Sequence, residues 1–163
     1  MRFGGIVLAT VLVLAACSSD PAPREPDPPA SSAPATPTVA APTMPPQASE
    51  DSPEGAAAFV KHYVDLFNYA AATGDVKELS DAAPNCDPCQ KYARDLSSLR
   101  KSERATGKAW TLGDVSVADS DEGRSVLAEI TVLDDSNSPY QLAFAVTREV
   151  PYAVVDIFDR GQR

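Results

Sequence analysis

The chain has 163 residues, of which 23% are charged, and its formal net charge at pH 7 is −9. An acidic surface repels phosphate backbones, so the charge argues against nucleic acid as a partner. Ten of the eleven aromatic residues lie after residue 52, which indicates one small domain and excludes a multidomain enzyme, a multi-span membrane protein and a coiled coil.

The first 16 residues have the layout of a signal peptide. Arg2 precedes an apolar run at residues 4–14 that is too short to span a bilayer comfortably. Residues 14–17, Leu-Ala-Ala-Cys, resemble the lipobox of bacterial lipoproteins. The resemblance implies cleavage before Cys17, a diacylglyceryl anchor with acyl chains such as palmitate on its thiol, and a place on the extracytoplasmic face of the cell membrane. The alternative is an ordinary secreted protein in which Cys17 has no special role.

Residues 17–52 are predicted to form a stalk. Ten of the fifteen prolines lie there, interspersed with Ala, Ser and Thr. Proline lacks an amide donor, and the few apolar side chains cannot offset the entropy of ordering, so the stalk is predicted to be disordered and extended. It would hold the domain away from the membrane. Its hydroxyl residues either carry O-linked sugar or stay unmodified.

Helical periodicity predicts three helices after the stalk. Residues 52–54, Ser-Pro-Glu, supply an N-cap, a proline at the first helical position and an acid in the first turn. The long first helix is expected to end at Gly74, followed by a short helix at residues 75–80 and a third at residues 88–107. The apolar face of the first helix comprises Phe59, Val60, Tyr63, Val64, Leu66, Phe67, Ala70 and Ala71.

A basic cluster lies within and just after the predicted third helix. Its members are Arg94, Arg100, Lys101, Arg104 and Lys108. Acidic residues are interspersed among them, so the cluster is predicted to be a solvated helix face.

From residue 109 the apolar period changes to two. The pattern predicts strands at residues 110–118, 124–133, 140–149 and 152–158, separated by turn-forming residues. Short connections imply an antiparallel meander with the helices grouped on one side, which is an α+β arrangement. The predicted inward faces are Val126, Ala128, Ile130 and Val132 in the second strand and Tyr140, Leu142, Phe144 and Val146 in the third.

Cys86 and Cys89 form a Cys-x-x-Cys motif at the start of the third helix. A helix N-terminus stabilises thiolate in thioredoxin-like oxidoreductases. Those enzymes place the motif after a buried strand, whereas residues 81–84, Asp-Ala-Ala-Pro, are not strand-like. Because the outer side of the membrane is oxidising, a structural disulfide is predicted. Redox catalysis and half of a metal site are the alternatives.

Few other side chains are candidates for chemistry. His62 is the only histidine and borders the apolar helix face, so neither a metal site nor a cofactor is predicted. Asp156 interrupts an apolar strand; facing inward it would be a candidate base, and facing outward it would be solvated. Tyr63, Trp110 and Tyr140, with Asp156, are the candidate lining of a small-ligand pocket between the long helix and the sheet. Alternatively, the aromatic rings simply fill the core.

The helix and strand order makes residues 53–163 resemble the NTF2-like (cystatin-like) cone fold, an α+β fold with helices packed on a curved four-stranded antiparallel sheet. More narrowly, residues 52–160 are similar to an uncharacterised family of actinobacterial lipoproteins. The similarity rests on Ser52 to Gly55, Phe59, Tyr63, Asn68, Gly74, Asp75, Cys86 and Cys89. It implies the fold and a cell-envelope location, and it brings no established activity.

The sequence therefore predicts a signal peptide at 1–16, the stalk at 17–52 and one domain at 53–163. The predicted function is non-catalytic: the domain binds a protein of the cell envelope or a small apolar ligand, held at the membrane through Cys17. The alternative is an extracytoplasmic enzyme, either a thiol-disulfide oxidoreductase or a cone-fold hydratase or isomerase.

Overall fold

Three α-helices precede a four-stranded sheet. The computed structural model describes residues 39–120 and 123–161; the predicted signal peptide, Cys17 and the stalk up to residue 38 lie outside the described residues. The helices are α1 (Pro53–Thr73), α2 (Lys77–Asp81) and α3 (Asp87–Ser98), with short 3-10 helices at Pro46–Ser49 and Lys101–Glu103. The strands are β1 (Trp110–Ser120), β2 (Gly123–Val132), β3 (Tyr140–Val146) and β4 (Val154–Asp159). The predicted α+β class is confirmed.

Helix α1 begins and ends where the sequence predicts. The Ser52 hydroxyl oxygen accepts a hydrogen bond from the Gly55 N–H at 2.9 Å, and Pro53 occupies the first helical position. At the other end Gly74 has a φ of 75°, and its N–H donates to the Ala70 carbonyl at 2.7 Å. This left-handed conformation favours glycine, which explains why the helix stops there.

Helix α3 ends at Ser98, well before the predicted end at Gly107. The hydroxyls of two serines in its last turn donate back to the backbone. Ser97 bonds to the Arg94 carbonyl at 2.8 Å, and Ser98 bonds to the Asp95 carbonyl at 2.7 Å. Such local bonds compete with helix continuation, so the chain turns here and forms a separate 3-10 helix.

The sheet is an open antiparallel meander with the strand order β1-β2-β3-β4, as predicted. A β-bulge interrupts the pairing of β1 with β2 between Leu112 and Val115. The bulge changes which residues face inward, so that Leu112, Val115 and Val117 all pack against the core. Strict alternation along β1 could not predict this arrangement.

The core lies between α1 and the sheet. Val126, Ala128 and Ile130 of β2 are completely buried, as predicted, and Phe144 of β3 faces the same interior. Side chains of α1 fill the space above them: Phe59, Val60, Tyr63, Val64 and Leu66. Among the described helices, none is long and apolar enough to cross a membrane.

The folded unit begins earlier than the predicted boundary at residue 53. The 3-10 helix Pro46–Ser49 packs against α1, and its Ala48 is only 3% exposed. The described residues from 39 to 52, assigned by composition to the stalk, belong to the same compact unit as the helices and the sheet. Proline content alone does not show whether such a segment is a free tether or packs on a helix.

Arg124 fastens this early segment to the sheet. Its side chain, only 10% exposed, donates to Asp119 at 2.6 Å and to Asp51 at 3.2 Å. It also donates to the Ser52 carbonyl at 3.2 Å and to the Tyr152 hydroxyl. The hydrogen bond with Asp119 raises the pKa of Arg124. These contacts, which we call the Arg124 clasp, join residues 51 and 52 to β2, to Asp119 near the end of β1 and to Tyr152 just before β4.

Candidate ligand-binding site

Three of the four predicted pocket residues differ in burial and contact different neighbours: Tyr63, Tyr140 and Asp156. Tyr63 is 2% exposed, and its ring packs edge-on to Phe144 at 6.1 Å. Burial raises the pKa of Tyr63. The half-buried Tyr140 donates its hydroxyl hydrogen to Asp135 at 2.7 Å. Asp156, also half-buried, accepts a hydrogen bond from the Ile157 N–H at 2.8 Å.

Trp110, the fourth predicted residue, is fixed at the start of β1 by α1. Its indole stacks on Phe67 with ring centroids 3.8 Å apart and planes inclined by 16°. The Asn68 side-chain amide donates to the Trp110 carbonyl and accepts from the Trp110 N–H, both at 2.8 Å. The amide thus pairs with the backbone of this edge strand as a neighbouring strand would, which orients the indole.

A cavity of about 400 Å³ opens beside this aromatic stack. We call it the Trp110 cavity. Apolar side chains form much of its wall: Phe67, Ala71, Leu96, Leu99, Ala109, Trp110, Val132 and Leu133. Concave apolar sites with a few polar groups are typical of small-molecule binding. Of the four predicted pocket residues, Trp110 lines this cavity, and Tyr63, Tyr140 and Asp156 do not.

Arg104 contributes a cation to the wall of the Trp110 cavity. It is half-buried, its Nε is buried, and within the described residues it makes no hydrogen bond. Its guanidinium lies against Gly74, where an added Cβ would come within 2.4 Å of Nη2. The positive φ of Gly74 and this close approach both favour glycine at that position.

Two acidic residues also line the Trp110 cavity, and one of them is already paired. Glu103 accepts hydrogen bonds from the Arg100 guanidinium at 2.5 Å and from the Arg100 N–H at 2.9 Å. These bonds lower the pKa of Glu103. The other acid is the exposed Asp134.

The sequence prediction missed the role of Arg104. The basic cluster was expected to be a solvated helix face, yet Arg104 lies after the 3-10 helix and is half-buried. Arg104 differs from the rest of the basic cluster because its segment packs against the end of α1. There the Ala105 N–H donates to the Ala71 carbonyl at 3.1 Å. Composition and spacing carry no signal of that contact.

The Cys-x-x-Cys motif forms a disulfide. Cys86 and Cys89 are joined at the N-terminus of α3, and they are 0% and 2% exposed. The preceding segment is tied to β4, because the Val154 N–H donates to the Ala82 carbonyl at 2.9 Å. The bridge therefore closes the start of α3 within a packed part of the domain.

Replacing both Cys86 and Cys89 with Ala is expected to lower the free energy of unfolding by about 2 kcal/mol without abolishing the fold. The loss is modest because the ring closed by the bridge is short. Urea unfolding of the variant and of the wild type measures the difference. Alkylation of the native protein should find neither thiol accessible; rapid labelling of either one would contradict the assignment.

Residues 28–155 match the family of unknown function DUF6318. The chain belongs to this family. The match covers the packed segment before α1, all three helices and the sheet as far as the start of β4. Comparisons with curated proteins and with solved structures found no match. Membership of this family assigns no activity to the chain.

His62 of the DUF6318 domain lies under the segment that precedes α1. It is 5% exposed and borders a second cavity of about 340 Å³ with Pro45 and Gln47. Burial lowers the pKa of His62, and the nearby carboxylates of Asp65 and Glu78 partly offset that effect. Within the described residues, no group of three His, Cys, Asp or Glu side chains could hold a metal ion.

The stability of the domain is expected to fall as the pH drops through about 6.5, the ordinary pKa of histidine. His62 has a lowered pKa in the folded state, so the unfolded chain binds the proton more readily and is favoured in acid. Urea unfolding at a series of pH values measures the slope. The variant His62→Gln should lose the part of the slope just below pH 6.5, and an unchanged slope would contradict the prediction.

Proposed function

We propose that this chain is a lipid-anchored protein of the cell envelope whose domain binds a small molecule or a partner and catalyses no reaction. The observation that carries the binding role is the Trp110 cavity, where an apolar wall and one unpartnered cation adjoin an aromatic stack. The site offers contact surface and one charge, which is what recognition of a ligand requires.

The burial of the disulfide supports binding over thiol-disulfide exchange. A catalytic cysteine must be reachable and is partly exposed in such enzymes, whereas Cys86 and Cys89 are almost completely buried. A persistent disulfide is also typical of proteins outside the cytoplasm. Both arguments favour a structural bridge in an extracytoplasmic protein.

The proposed location rests on the sequence before the domain. The apolar run, the lipobox-like residues 14–17 and the proline-rich stalk together support an anchor at Cys17 and a domain held outside the membrane. The long α1 followed by an antiparallel meander supports the finer proposal that the fold is an NTF2-like cone. Similarity to actinobacterial lipoproteins agrees with both.

Replacing Cys17 with Ala is expected to abolish lipid attachment and to release the protein from the membrane. The reason is that the rest of the stalk has too little apolar surface to hold a bilayer. Metabolic labelling with a fatty acid and cell fractionation measure the two effects. Retention of the Cys17→Ala protein in the membrane, after its signal peptide is shown to be cleaved, would contradict the proposed anchor.

An uncharged apolar probe tests the binding role. Decanol, titrated into the mature chain carrying Cys17→Ser, should change the fluorescence of Trp110, the only tryptophan, in a saturable way and raise the Tm. Ala109 lines the cavity and Ala72 is exposed on α1, so Ala109→Phe should abolish both effects while the control Ala72→Phe preserves them. Absence of any saturable effect in the parent Cys17→Ser chain would overturn the proposed binding of a small molecule in the Trp110 cavity.

A further inference from the structure

We propose that the Trp110 cavity takes an apolar ligand bearing a single carboxylate, with Arg104 as the group that binds the carboxylate. This inference rests on the proposed binding function and specifies the ligand class. The starting observation is Arg104, a cation in the cavity wall near the end of α1. Its Nε has no hydrogen-bond acceptor among the described residues.

The state of Arg104 favours an anionic ligand. A buried donor without a partner has lost its hydrogen bonds to water and gained none in return. The Nε of Arg104 is such a donor. A guanidinium presents parallel N–H groups that match the two oxygens of a carboxylate, and these charge-assisted bonds are stronger than neutral ones. Nε itself is closed off from the cavity, so a bound carboxylate would pair with the terminal Nη groups, which make no hydrogen bond or ion pair among the described residues.

The Arg104 guanidinium lies against the backbone of Gly74. Its Nη2 occupies the space that a side chain at position 74 would need. The glycine required to end α1 thus also leaves room for Arg104 beside the cavity.

The surrounding charges favour a single negative charge on the ligand. Arg100 engages Glu103, so Glu103 does not neutralise Arg104. Asp134 lines the same cavity and forms no ion pair among the described residues. Because Asp134 would repel an incoming anion, a carboxylate is favoured over a doubly charged phosphate monoester.

The remainder of the wall suits the apolar part of the ligand. Phe67, Leu96, Leu99 and Val132 surround the cavity on sides contributed by α1, α3 and the end of β2. Trp110 is 9% exposed, and Phe67 covers one face of its indole. An alkyl chain lying against this wall would be removed from water, and such burial is the main source of affinity for an apolar ligand.

Paired probes of equal chain length test the inference. In the mature chain carrying Cys17→Ser, decanoate at pH 7.5 should bind about tenfold or more tightly than decanol, as expected for one charge-assisted interaction. Arg104→Gln should remove this advantage of decanoate over decanol. The control Arg94→Gln, at an exposed position outside the cavity, should bind both probes like the wild type.

A second variant should change the affinity for decanoate in the opposite direction. Asp134→Asn should tighten decanoate binding relative to decanol binding, because it removes a charge that repels the anion. This variant keeps the test decisive even if Arg104→Gln does not fold, which circular dichroism would reveal. Added salt should weaken decanoate binding and leave decanol binding nearly constant.

The outcomes separate the inference from the proposed function. Equal binding of decanol and decanoate, unaffected by Arg104→Gln and Asp134→Asn, would overturn the role of Arg104 and leave the apolar binding site standing. Tighter binding of decyl phosphate than of decanoate would overturn the carboxylate class. If neither decanol nor decanoate binds, the ligand site itself is wrong.

Discussion

Replacing Phe144 with Ala is expected to lower the free energy of unfolding by about 3–5 kcal/mol. Phe144 is 0% exposed and lies opposite Val126 and Ile157 in the neighbouring strands. Its ring also contacts the edge of Tyr63 on α1. The substitution would remove one contact between the long helix and the middle of the sheet, and it would leave a cavity that buried neighbours can fill only partly.

Urea unfolding monitored by circular dichroism measures the effect. Phe158→Ala is the matched control, because Phe158 lies on the adjacent strand β4 and is 49% exposed. Phe158→Ala should lower the free energy of unfolding far less than Phe144→Ala does. Similar losses for both variants would mean that the interior is not packed as the structure has it.

Replacing Gly55 with Ala is expected to destabilise the domain by about 1–3 kcal/mol, as overpacking in a filled site does. In an isolated helix the same change stabilises by about 1 kcal/mol, so the expected sign is reversed. An added Cβ at Gly55 would come within 2.0 Å of the Glu50 carbonyl oxygen and 3.1 Å of the Gln47 carbonyl oxygen. Both are backbone atoms, so the segment before α1 would have to move away.

Thermal unfolding and limited proteolysis together test this prediction. The Gly55→Ala protein should have a lower Tm, and residues 39–50 should be cleaved faster than in the wild type. Gly107→Ala is the control, since an added Cβ there has no atom within 4 Å. A gain of stability in Gly55→Ala would indicate that the early segment is not seated against α1.

Local signals in the sequence were sufficient for the helix ends and the strand order. Ser52 and Gly74 act within one helical turn of their partners, so their roles follow from residue type alone. The short turns between strands gave the meander because adjacent strands with short connections pair antiparallel. For the same reason, the pairing of Cys86 with Cys89 could be predicted from a spacing of three residues.

The parts that could not be predicted depend on contacts between distant residues. Asp51 and Arg124 are 73 positions apart, and Glu50 and Tyr152 are 102 apart. No local pattern marks either pair, so the early segment was assigned to the stalk. Arg104 was missed in the same way, because its surroundings arise only when its loop packs on the end of α1.

The Arg124 clasp gives the domain a defined mechanical entry point. Tension that passes along the backbone beyond residue 49 reaches Arg124 and Tyr152 before it reaches the first turn of α1, since both hold the backbone at residues 50–52. Arg124 belongs to β2 and Tyr152 immediately precedes β4, so the load passes into the sheet at two points. The clasp thereby protects the first turn of α1 from unwinding when the backbone at residue 50 is pulled.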